Sequence, residues 1–515
     1  MKKLSALFFL IAMAFSAVSQ ITWSEHVAPI AYEHCTTCHR QGGIGPFPIE
    51  TYQDAYGYMF DIADAVSDRH MPPWPADPNY RQFLHENYLT DDQIQTINDW
   101  VLVGAPEGDP ALAPELPSFT TGSALPSIDL SIQTPEYAST AAFDDVYRTF
   151  VVPSNFSVDK FIDGFEVIPG NASIVHHVVV YYDPSDECLT LDANDPGPGF
   201  TTSGTGGELP ADAKFLSVWA PGKNTQMLPL GFALRAEAGG HFLIEIHFPA
   251  GTAGELDQTT VNVHYTTDST PREVWLDPIL NHAPPILQAP FLYIPANQTA
   301  IFEEIYEVPI DVTLFNVMPH MHLIGRSITS WAETPSSDSI PLIHIPEWHF
   351  HWQMGYDFTS LQTLPAGSLL KASAFFDNTT NNPNNPNDPP QLVIAGEATD
   401  EEMMVVFFTY TYYLPGDENI EIVTGVPALE KTPTKWSVYP NPTADLLHVQ
   451  SFLDRYQKVQ FSIFDQTGKK WMHTQENVQG GMDTSELDVS QLPVGIYYLQ
   501  VTGDELYFTT SFIKQ

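Results

Sequence analysis

The sequence predicts a multidomain, mainly β protein with one small helical domain near its N-terminus. Its 515 residues exceed what a single core usually organises, which favours several domains. Residues 126–420 show short apolar and β-branched runs between Pro, Gly and Asn turns, with almost no helical periodicity. A shorter strand-rich region, 434–515, follows a linker that contains Pro and Thr. We therefore predict a helical domain, two β-sandwich domains and a small C-terminal β-sandwich.

The first 20 residues are predicted to be a secretory signal peptide. Two lysines precede a short apolar run, and small residues follow it. The run is shorter than the ~20 residues that a membrane-spanning helix needs. We expect cleavage near Ser19 or Gln20 and no transmembrane segment in the mature chain.

The composition excludes two classes of partner. Asp and Glu number 63 against 20 Lys and Arg, which gives a formal net charge of −43. Such a charge repels nucleic acid and anionic membrane surfaces, so neither is expected to bind. The chain has only three cysteines, at Cys35, Cys38 and Cys188. We therefore expect apolar cores, and not disulfides, to stabilise the fold.

Residues 21–112 form the predicted helical domain. Its best-marked helix is TDDQIQTINDWVLV, with Thr90 as the N-cap and Gly104 as the stop. Residues 105–125 are rich in Pro, Gly and Ser, so we expect a linker in front of the β region.

The long β region divides at an interruption near residues 270–290, STPREVWLDPILNHAPPI. We therefore predict two domains of similar size, 126–280 and 281–420. The run DNTTNNPNNPNDPPQ, 377–391, is predicted to be a turn-rich loop because its Asn and Pro residues favour turns over a strand interior.

A haem-attachment motif begins the helical domain. Cys35, Cys38 and His39 have the C-x-x-C-H spacing of covalently bound c-type haem. Two thiols one helical turn apart can reach both haem vinyl groups, and the adjacent imidazole lies under the iron. A zinc site would need a second ligand pair, which the region lacks. A thioredoxin-like redox pair would need a βαβ pattern, which is also missing.

The second axial ligand of the iron is predicted to be Met71, in the stretch RHMPPWPADP. The prolines after it would hold a rigid loop at the haem edge, and His70 and Met59 are alternative ligands. With these motifs, residues 21–112 resemble class I cytochrome c domains, and most closely those fused to secreted bacterial copper monooxygenases. The resemblance implies a covalently attached haem c.

Two adjacent histidines, His176 and His177, interrupt the strand-like stretch SIVHHVVVYY. Neighbouring residues on a strand point to opposite faces, so at least one imidazole is buried and needs a partner. His247 ends a second such stretch, HFLIEIHF. The three rings can meet at one ion only if the chain bulges or twists at the pair, or if ligation occurs from a strand end.

A second group of metal-binding residue types follows. His320 and His322 form an H-x-H pair, whose Cα atoms would be ~6.5–7 Å apart on one strand face. Met403 and Met404 begin the last strand of the region. Imidazole suits several transition metals, whereas thioether selects copper, especially Cu(I). The combination indicates copper that passes through its reduced state.

The region 126–415 resembles the copper type II, ascorbate-dependent monooxygenases, the family of peptidylglycine α-hydroxylating monooxygenase and dopamine β-monooxygenase. The resemblance implies two jelly-roll-like β-domains, each holding one copper. It assigns the electron-transfer copper to His176, His177 and His247. It assigns the copper where O₂ reacts to His320, His322 and Met403, with Met404 as the alternative to Met403. The other histidines of the region are expected to be structural or to lie behind the ligands; they are His241, His264, His344, His349 and His351.

Three positions depart from the family pattern. Peptide-hydroxylating members hold the substrate carboxylate with an Arg, an Asn and a Tyr. The matching positions here are Met318, Val405 and Phe407. Because a carboxylate would lose its charge-assisted partners, we expect a neutral or apolar small-molecule substrate and not a glycine-extended peptide.

The resemblance implies hydroxylation of a C–H bond with O₂, with one electron supplied from each copper. The reductant would be ascorbate or an external electron-transfer partner. A fused haem with Met and His ligands suits the transfer of single electrons to the copper on His176, His177 and His247. The sequence therefore predicts that the haem relays electrons within the chain.

The C-terminal region carries the ordered motifs YPNP, D-x-x-G-K and LPVGIYYLQV. With them, residues 434–515 resemble the sorting domain of type IX secretion cargo in Bacteroidetes. The resemblance implies the type IX secretion machinery as a partner. It also implies a secreted or cell-surface location in a Gram-negative, Bacteroidetes-like bacterium, reached through the periplasm.

Two other functions fit parts of this pattern. A catalytically silent electron-transfer or copper-binding protein would keep the ligands and consume no O₂. A carbohydrate- or surface-binding β-sandwich protein with purely structural histidines would contain no copper.

Overall fold

The computed structural model describes residues 20–43, 45–117, 123–202, 209–221, 225–396, 398–420, 436–453, 457–465, 469–478, 481–503 and 506–515. The predicted signal peptide, apart from Gln20, lies outside these residues. The chain forms two compact units that divide between Gly425 and Val426. The mainly β architecture with several sandwich-like sheets is confirmed.

The helices of the first unit lie mostly in its N-terminal part. They are a π-helical turn Trp23–Val27, α1 (Ala28–His34), α2 (Tyr52–Gly57), α3 (Met59–Ser67) and α4 (Asp91–Leu102), followed by a 3₁₀ turn Pro110–Leu112. The predicted start and stop of α4 are confirmed. Thr90 and Gln93 form a reciprocal capping box, and Gly104 takes the left-handed φ of 91°. Trp23 and Trp100 pack together in the core of this helical region, with ring centroids 5.9 Å apart.

The first β-domain contains two sheets. Its strands are β1 (Leu130–Gln133), β2 (Tyr137–Ala138), β3 (Val146–Pro153), β4 (Lys160–Ile168), β5 (His177–Asp183), β6 (Phe200–Thr202), β7 (Lys214–Trp219), β8 (Thr225–Met227), β9 (Phe232–Ala236), β10 (His241–Phe248), β11 (Leu256–Asp257), β12 (Thr260–Tyr265) and β13 (Arg272–Glu273). One sheet has the order β1-β12-β4-β9-β13, with β8 beside β4, and the other has the order β6-β3-β10-β5-β7. The short strands β2 and β11 pair separately.

The second β-domain repeats this arrangement. Its strands are β14 (Trp275–Asn281), β15 (Tyr293–Ile294), β16 (Gln298–Glu307), β17 (Val312–His320), β18 (Gly325–Glu333), β19 (Ser339–Ile345), β20 (Tyr356–Leu364), β21 (Leu369–Asn378), β22 (Val393–Ile394) and β23 (Val405–Tyr412), with a 3₁₀ turn Asp417–Asn419 after them. The sheets have the orders β14-β23-β17-β20 and β16-β21-β18-β19, with a separate β15-β22 pair. The strand β14, which contains the predicted boundary at 280, pairs with β23 in a sheet of the second β-domain. One apolar core runs through both β-domains.

Two loop segments of the β region complete this part of the fold. The helix α5 (Glu187–Asn194) was not expected from the sequence. It packs the buried Cys188 against the first β-domain. The Asn- and Pro-rich run is a turn-rich loop as predicted, except that its first two residues extend β21.

The C-terminal unit has its own sheets and its own core. Its strands are β24 (Trp436–Tyr439), β25 (Leu446–Leu453), β26 (Gln457–Asp465), β27 (Lys470–Val478), β28 (Gly481–Asp488), β29 (Gly495–Gly503) and β30 (Leu506–Lys514). They form sheets of order β24-β25-β28 and β27-β26-β29-β30. Leu447, Phe461 and Phe512 are fully buried between them.

The segment after α3 fastens the helical region to the second β-domain. Phe83 forms a β-bridge with Phe358, and the backbone N–H of Leu84 donates to the carbonyl of Asp357 at 2.9 Å. The Arg81 guanidinium lies 4.2 Å above the Phe358 ring. The helical region is therefore held against β20 by backbone pairing as well as by side-chain packing.

Two general features complete the description. All three cysteines are free thiols. Within the described ranges, no helix is both long enough and apolar enough to cross a membrane.

Candidate functional site

The first histidine cluster lies where two adjacent strands end. His177 is the first residue of β5 and stands opposite His247, near the end of β10. His176 precedes β5, and its backbone N–H donates to the carbonyl of His247 at 3.0 Å. Because His176 is outside the regular strand, its ring is free of the strict alternation that separates neighbours on a strand. The two adjacent rings therefore converge from a strand end.

The nitrogen atoms of these rings have the spacing of a metal site. The Nδ1 atom of His176 lies 3.1 Å from Nδ1 of His177 and 3.1 Å from Nδ1 of His247. The donor atoms of all three rings lie within 4.8 Å of one another. Ligand nitrogens about 2.0 Å from a tetrahedral metal are about 3.3 Å apart. The three residues thus fit one transition-metal ion.

The surroundings of the cluster keep the rings of His176 and His177 neutral and orient the ring of His247. Burial lowers the pKa of His176 to about 3 and lowers that of His177 well below its usual value. The Nε2 atom of His247 lies 3.0 Å from the carboxylate of Asp145, and the Tyr147 ring stacks on the same imidazole at 4.3 Å. A carboxylate behind a histidine fixes the tautomer that exposes the other nitrogen to a metal.

The second cluster lies in the second β-domain, at the point where β17 ends. His320 is the last residue of β17 and pairs with Val405, the first residue of β23. His322 follows in the turn after β17 and is almost fully buried. Met403 lies two residues before the start of β23. Strand pairing therefore brings the H-x-H pair and the Met-Met pair to one place, although about 80 residues separate them in the chain.

A buried carboxylate organises this place. The Glu402 side chain accepts hydrogen bonds from the backbone N–H groups of His322 and Met403, each at 2.9 Å. It also accepts from Ile324 at 2.9 Å and Gly325 at 3.0 Å. Burial raises its pKa to about 8, and these four donors oppose that increase. One side chain thus ties the H-x-H turn to the methionine segment.

The ring nitrogens of the second cluster are also prepared for a metal. The Nδ1–H of His322 donates to the carbonyl of Glu401 at 3.1 Å, and the Nδ1–H of His320 donates to the side-chain oxygen of Gln353. These bonds leave Nε2 of each ring as the available donor. Among the described residues, Nε2 of His320 is buried without a hydrogen-bond partner. A metal ligand bond would satisfy this atom.

The two adjacent methionines have different surroundings. Met403 lines the same cavity as His320 and His322. Met404 is fully buried in the apolar core of the β-domains. The position of Met403 is therefore the one that suits a ligand.

A cavity of about 320 Å³ connects the two clusters. Its wall includes His177 of the first cluster and the second cluster's three residues. The rest of the lining is mostly apolar or aromatic, and none of the lining side chains that the structure describes is a Lys, Arg, Asp or Glu. The three positions that depart from the family pattern, Met318, Val405 and Phe407, all lie on this wall.

One loop touches both clusters, and sequence reasoning missed its importance. This bridging loop, His349–Gln353, joins β19 to β20. His351 contacts His176 through ring nitrogens 3.1 Å apart, and Gln353 holds His320. The Phe350 ring lies 6.3 Å from the His176 ring and 6.1 Å from the His322 ring. No local sequence pattern indicates these contacts, because His351 lies about 175 residues after His176 in the chain.

The remaining histidines of the β region have ordinary structural contacts. His241 bonds the carbonyl of Ser185, His264 bonds Asp163, and His344 bonds Thr329. The structural expectation holds for these three. His349 and His351 lie in the bridging loop beside the first cluster, which is the other position that the sequence predicted, behind the ligands.

The C-x-x-C-H segment forms a helical turn after α1. The backbone N–H groups of Cys38 and His39 donate to the carbonyl of Cys35 at 3.1 and 2.9 Å. The Nδ1–H of His39 donates to the carbonyl of Phe47 at 2.9 Å, which leaves Nε2 for a metal. A Cβ atom on Gly45 would lie 2.8 Å from the His39 ring, so only glycine fits behind it. These contacts are compatible with haem attachment, which stays a prediction.

The three axial-ligand candidates occupy different surroundings. Met71 and His70 follow α3, where their backbone N–H groups donate to the carbonyl of Ala65 at 3.1 and 2.9 Å. Met59 begins α3 and packs against the helical core. The ring of His70 lies 5.1 Å from that of His349. The loop that carries Met71 therefore adjoins the bridging loop.

Solved structures offer little comparison. A β-glucuronidase from Parabacteroides merdae matches at 10% identity and a TM-score of 0.13, over 45% of this chain and 30% of that one. A β-glucuronidase from an uncultured Clostridium matches at 12% identity and a TM-score of 0.13, over 42% and 35%. A putative β-galactosidase from Bacteroides fragilis matches at 10% identity and a TM-score of 0.14, over 42% and 33%. The chain spans about a third of these proteins, and such scores carry no argument about fold or activity.

The C-terminal unit has a definite relative. Residues 437–515 match the family described as secretion system C-terminal sorting domain. The match confirms the predicted type IX sorting tail, and it supports a secreted or cell-surface location in Bacteroidetes-like bacteria. The C-terminal unit of this chain is a secretion sorting domain.

Proposed function

We propose that the protein is a secreted copper-dependent monooxygenase that hydroxylates a C–H bond with O₂ and receives electrons from its own haem domain. The convergence of two donor clusters on one apolar cavity carries this proposal. Purely structural histidines would need neither the second cluster nor the shared cavity. The cluster residues on the cavity wall are His177, His320, His322 and Met403.

The donor sets favour copper over other metals. Imidazole nitrogen suits several transition metals, whereas the thioether of Met403 selects Cu(I). When bound, copper at the two sites would supply one-electron transfer and O₂ activation, which no side chain here can supply. The chain's own residues would hold neutral imidazoles in fixed orientations. Burial lowers the pKa of His322 to about 3, so no proton has to leave this ring before it binds a metal.

The cavity supports a neutral, largely apolar small molecule as the substrate. The charged and polar anchors of peptide-hydroxylating relatives are replaced on its wall by Met318, Val405 and Phe407. Because a buried carboxylate without a charge partner is costly, a glycine-extended peptide would bind poorly. The aromatic rings of Tyr181 and Phe215 provide apolar surface instead. Exclusion of bulk water by these walls would protect a reactive centre at the second cluster.

The haem part of the proposal uses the free thiols Cys35 and Cys38 for covalent attachment. His39 would be one axial ligand, through the nitrogen left open by its bond to Phe47, and Met71 the other. A haem with these ligands transfers one electron at a time. Its electrons would come from ascorbate or from an external redox partner. The type IX route fits this cofactor, since haem is attached in the periplasm of a Gram-negative cell before export.

The proposal is tested by metal analysis and O₂ uptake of the purified full-length protein. We expect two copper ions and one haem per chain, and O₂ consumption that depends on an apolar substrate from a panel. Heavy-isotope O₂ should place one labelled oxygen atom in the product. The variant His322→Ala should lose uptake, whereas His473→Ala in the sorting domain should not.

Two results would contradict the proposal. If the purified protein contains no copper, the histidines have structural roles and the protein is a binding protein. Full copper and haem content without substrate-dependent O₂ uptake would favour a silent electron-transfer protein.

A further inference from the structure

We infer that the bridging loop is the electron entry route from the haem domain to the first histidine cluster, with His351 as the residue that joins the loop to that cluster. The inference rests on the proposed function, because it needs haem at one end and copper at the other. It adds the path between them and the residues that form it.

Four histidine rings form a continuous series between the two ends. The His70 ring, next to the proposed haem ligand, lies 5.1 Å from the ring of His349. The rings of His349 and His351 are 5.6 Å apart. The ring of His351 lies 5.2 Å from that of His176, a residue of the first cluster. Neighbouring ring centroids are thus at most 5.6 Å apart all the way from His70, beside Met71, to the first cluster.

The last contact in the series is a hydrogen bond to a ligand. Nδ1 of His176 faces the other cluster nitrogens, so with a metal bound at Nδ1 the other nitrogen, Nε2, would carry the proton. That N–H points at Nδ1 of His351, 3.1 Å away. His351 is therefore bonded to the side chain that would bind copper. Phe350, which also adjoins this ring, has no polar atom with which to make such a bond.

The fold holds the two loops together. The bridging loop lies between β19 and β20. The segment that follows the loop carrying Met71 makes backbone hydrogen bonds to both of these strands. The backbone N–H of Asp77 donates to the carbonyl of His344 in β19 at 2.9 Å. The backbone N–H of Leu84 donates to the carbonyl of Asp357 in β20 at 2.9 Å. The contact between His70 and His349 is thus fixed on both sides.

The step itself is a single electron transfer. With both groups bound, ferrous haem would be oxidised to ferric haem, and one cupric ion held by His176, His177 and His247 would be reduced to cuprous ion. No covalent bond forms or breaks, and no proton has to move. The hydrogen bond between His176 and His351 can therefore persist throughout.

Flash photoreduction of the full-length protein, loaded with haem and Cu(II) and kept free of O₂, tests the route. A ruthenium photoreductant reduces the haem, and the decay of ferrous haem absorbance reports transfer to copper. His351→Phe keeps the ring packing and removes the bond to His176, so we expect a decay slower by about tenfold or more. His344→Phe is the control, because it replaces a histidine at the same domain contact but away from the cluster. In this variant the ferrous haem absorbance should decay at the wild-type rate.

A second variant keeps the test decisive. His349→Ala opens the ring series without touching the first cluster, so copper content and the Cu(II) electron paramagnetic resonance spectrum should be unchanged while the decay slows. Wild-type decay in His349→Ala, or in a His351→Phe protein that retains copper, would overturn the inference. If wild-type protein shows no copper-dependent decay at all, the proposed relay fails together with the route. If the decay depends on copper but is equally fast in both variants, the route is refuted while the relay itself stands.

Discussion

At the scale of single residues, two buried polar groups of the second β-domain show opposite relations to function. Nε2 of His320 is buried without a hydrogen-bond partner among the described residues, and it lies on the cavity beside other donors. Both carboxylate oxygens of Glu304 also lack a partner in the described part of the chain, and Glu304 does not belong to the group of possible metal ligands found there. A buried unsatisfied group costs free energy unless something binds it. We interpret the first as a ligand position and the second as a cost to stability.

Replacement of Glu304 with leucine should stabilise the protein. Burial raises the pKa of Glu304 well above its usual value, so the folded state holds this proton more tightly than the unfolded state. Stability is then greatest below the unfolded pKa and falls as pH rises towards the folded pKa. Urea denaturation at pH 5 and pH 8 should show a gain of about 1–3 kcal/mol in Glu304→Leu, larger at pH 8. Glu303→Leu, an exposed neighbour on the same strand, should show no such pH-dependent gain.

The two adjacent methionines should separate metal binding from packing. Met403→Ala removes a thioether from the cavity wall, so Cu(I) affinity at the second cluster should fall by about 10–100-fold. Met404→Ala leaves that wall intact and opens a void in the core, which should cost about 2–5 kcal/mol of folding free energy. Cu(I) titration and urea denaturation of both variants measure the two effects. Equal loss of copper affinity in both would contradict the assignment.

At the scale of secondary-structure elements, both clusters lie at strand ends. His177 begins β5, His320 ends β17, and Met403 precedes β23. Residues at strand ends escape the alternation that a regular strand imposes, so neighbouring side chains can converge. The paired strands behind them remain regular and rigid. Rigid strands with irregular ends are what a site of fixed geometry needs.

The turn after β17 should depend on one carboxylate. Glu402→Ala would leave four buried backbone N–H groups without acceptors, at a cost of at least ~3 kcal/mol. Copper affinity at the second cluster should fall as well, because His322 and Met403 would lose their common support. Glu401→Ala is the matched control, since Glu401 bonds His322 through its backbone carbonyl, which the substitution retains. Urea denaturation and copper titration should distinguish the two variants.

At the scale of the whole molecule, the helical region is part of the first compact unit, together with both β-domains. The β-bridge between Phe83 and Phe358 fastens it to β20. The proposed relay needs this arrangement, because an independent domain on a linker would not keep His70 beside His349. The sorting domain, in contrast, forms a separate unit with its own buried core.

Truncation after Gly425 should therefore separate export from folding. The first unit keeps its whole apolar core, so we expect a folded protein with unchanged copper content. Without residues 437–515 it should accumulate in the periplasm and not reach the medium or the cell surface. Cell fractionation and metal analysis of the truncated and full-length proteins measure both outcomes. Export of the truncated chain would contradict the role of the tail.

The sequence by itself determined the mainly β fold class and the C-terminal sorting domain, and it supplied the candidate ligands. Local signals were sufficient for this: strand patterning, the caps of α4, the C-x-x-C-H and H-x-H spacings, and the sorting motifs. These features depend on neighbours in the chain, and residue type with short-range spacing records such neighbours directly.

Only the tertiary structure decided which of these residues meet. It placed Met404 in the core and Met403 on the cavity wall, paired β14 with β23, and brought His351 to His176 from about 175 residues away. It also showed that the helical region docks against β20. Such long-range contacts arise from strand pairing and core packing over the whole chain. No local pattern encodes them, because either partner looks the same in the sequence whether or not the other lies beside it.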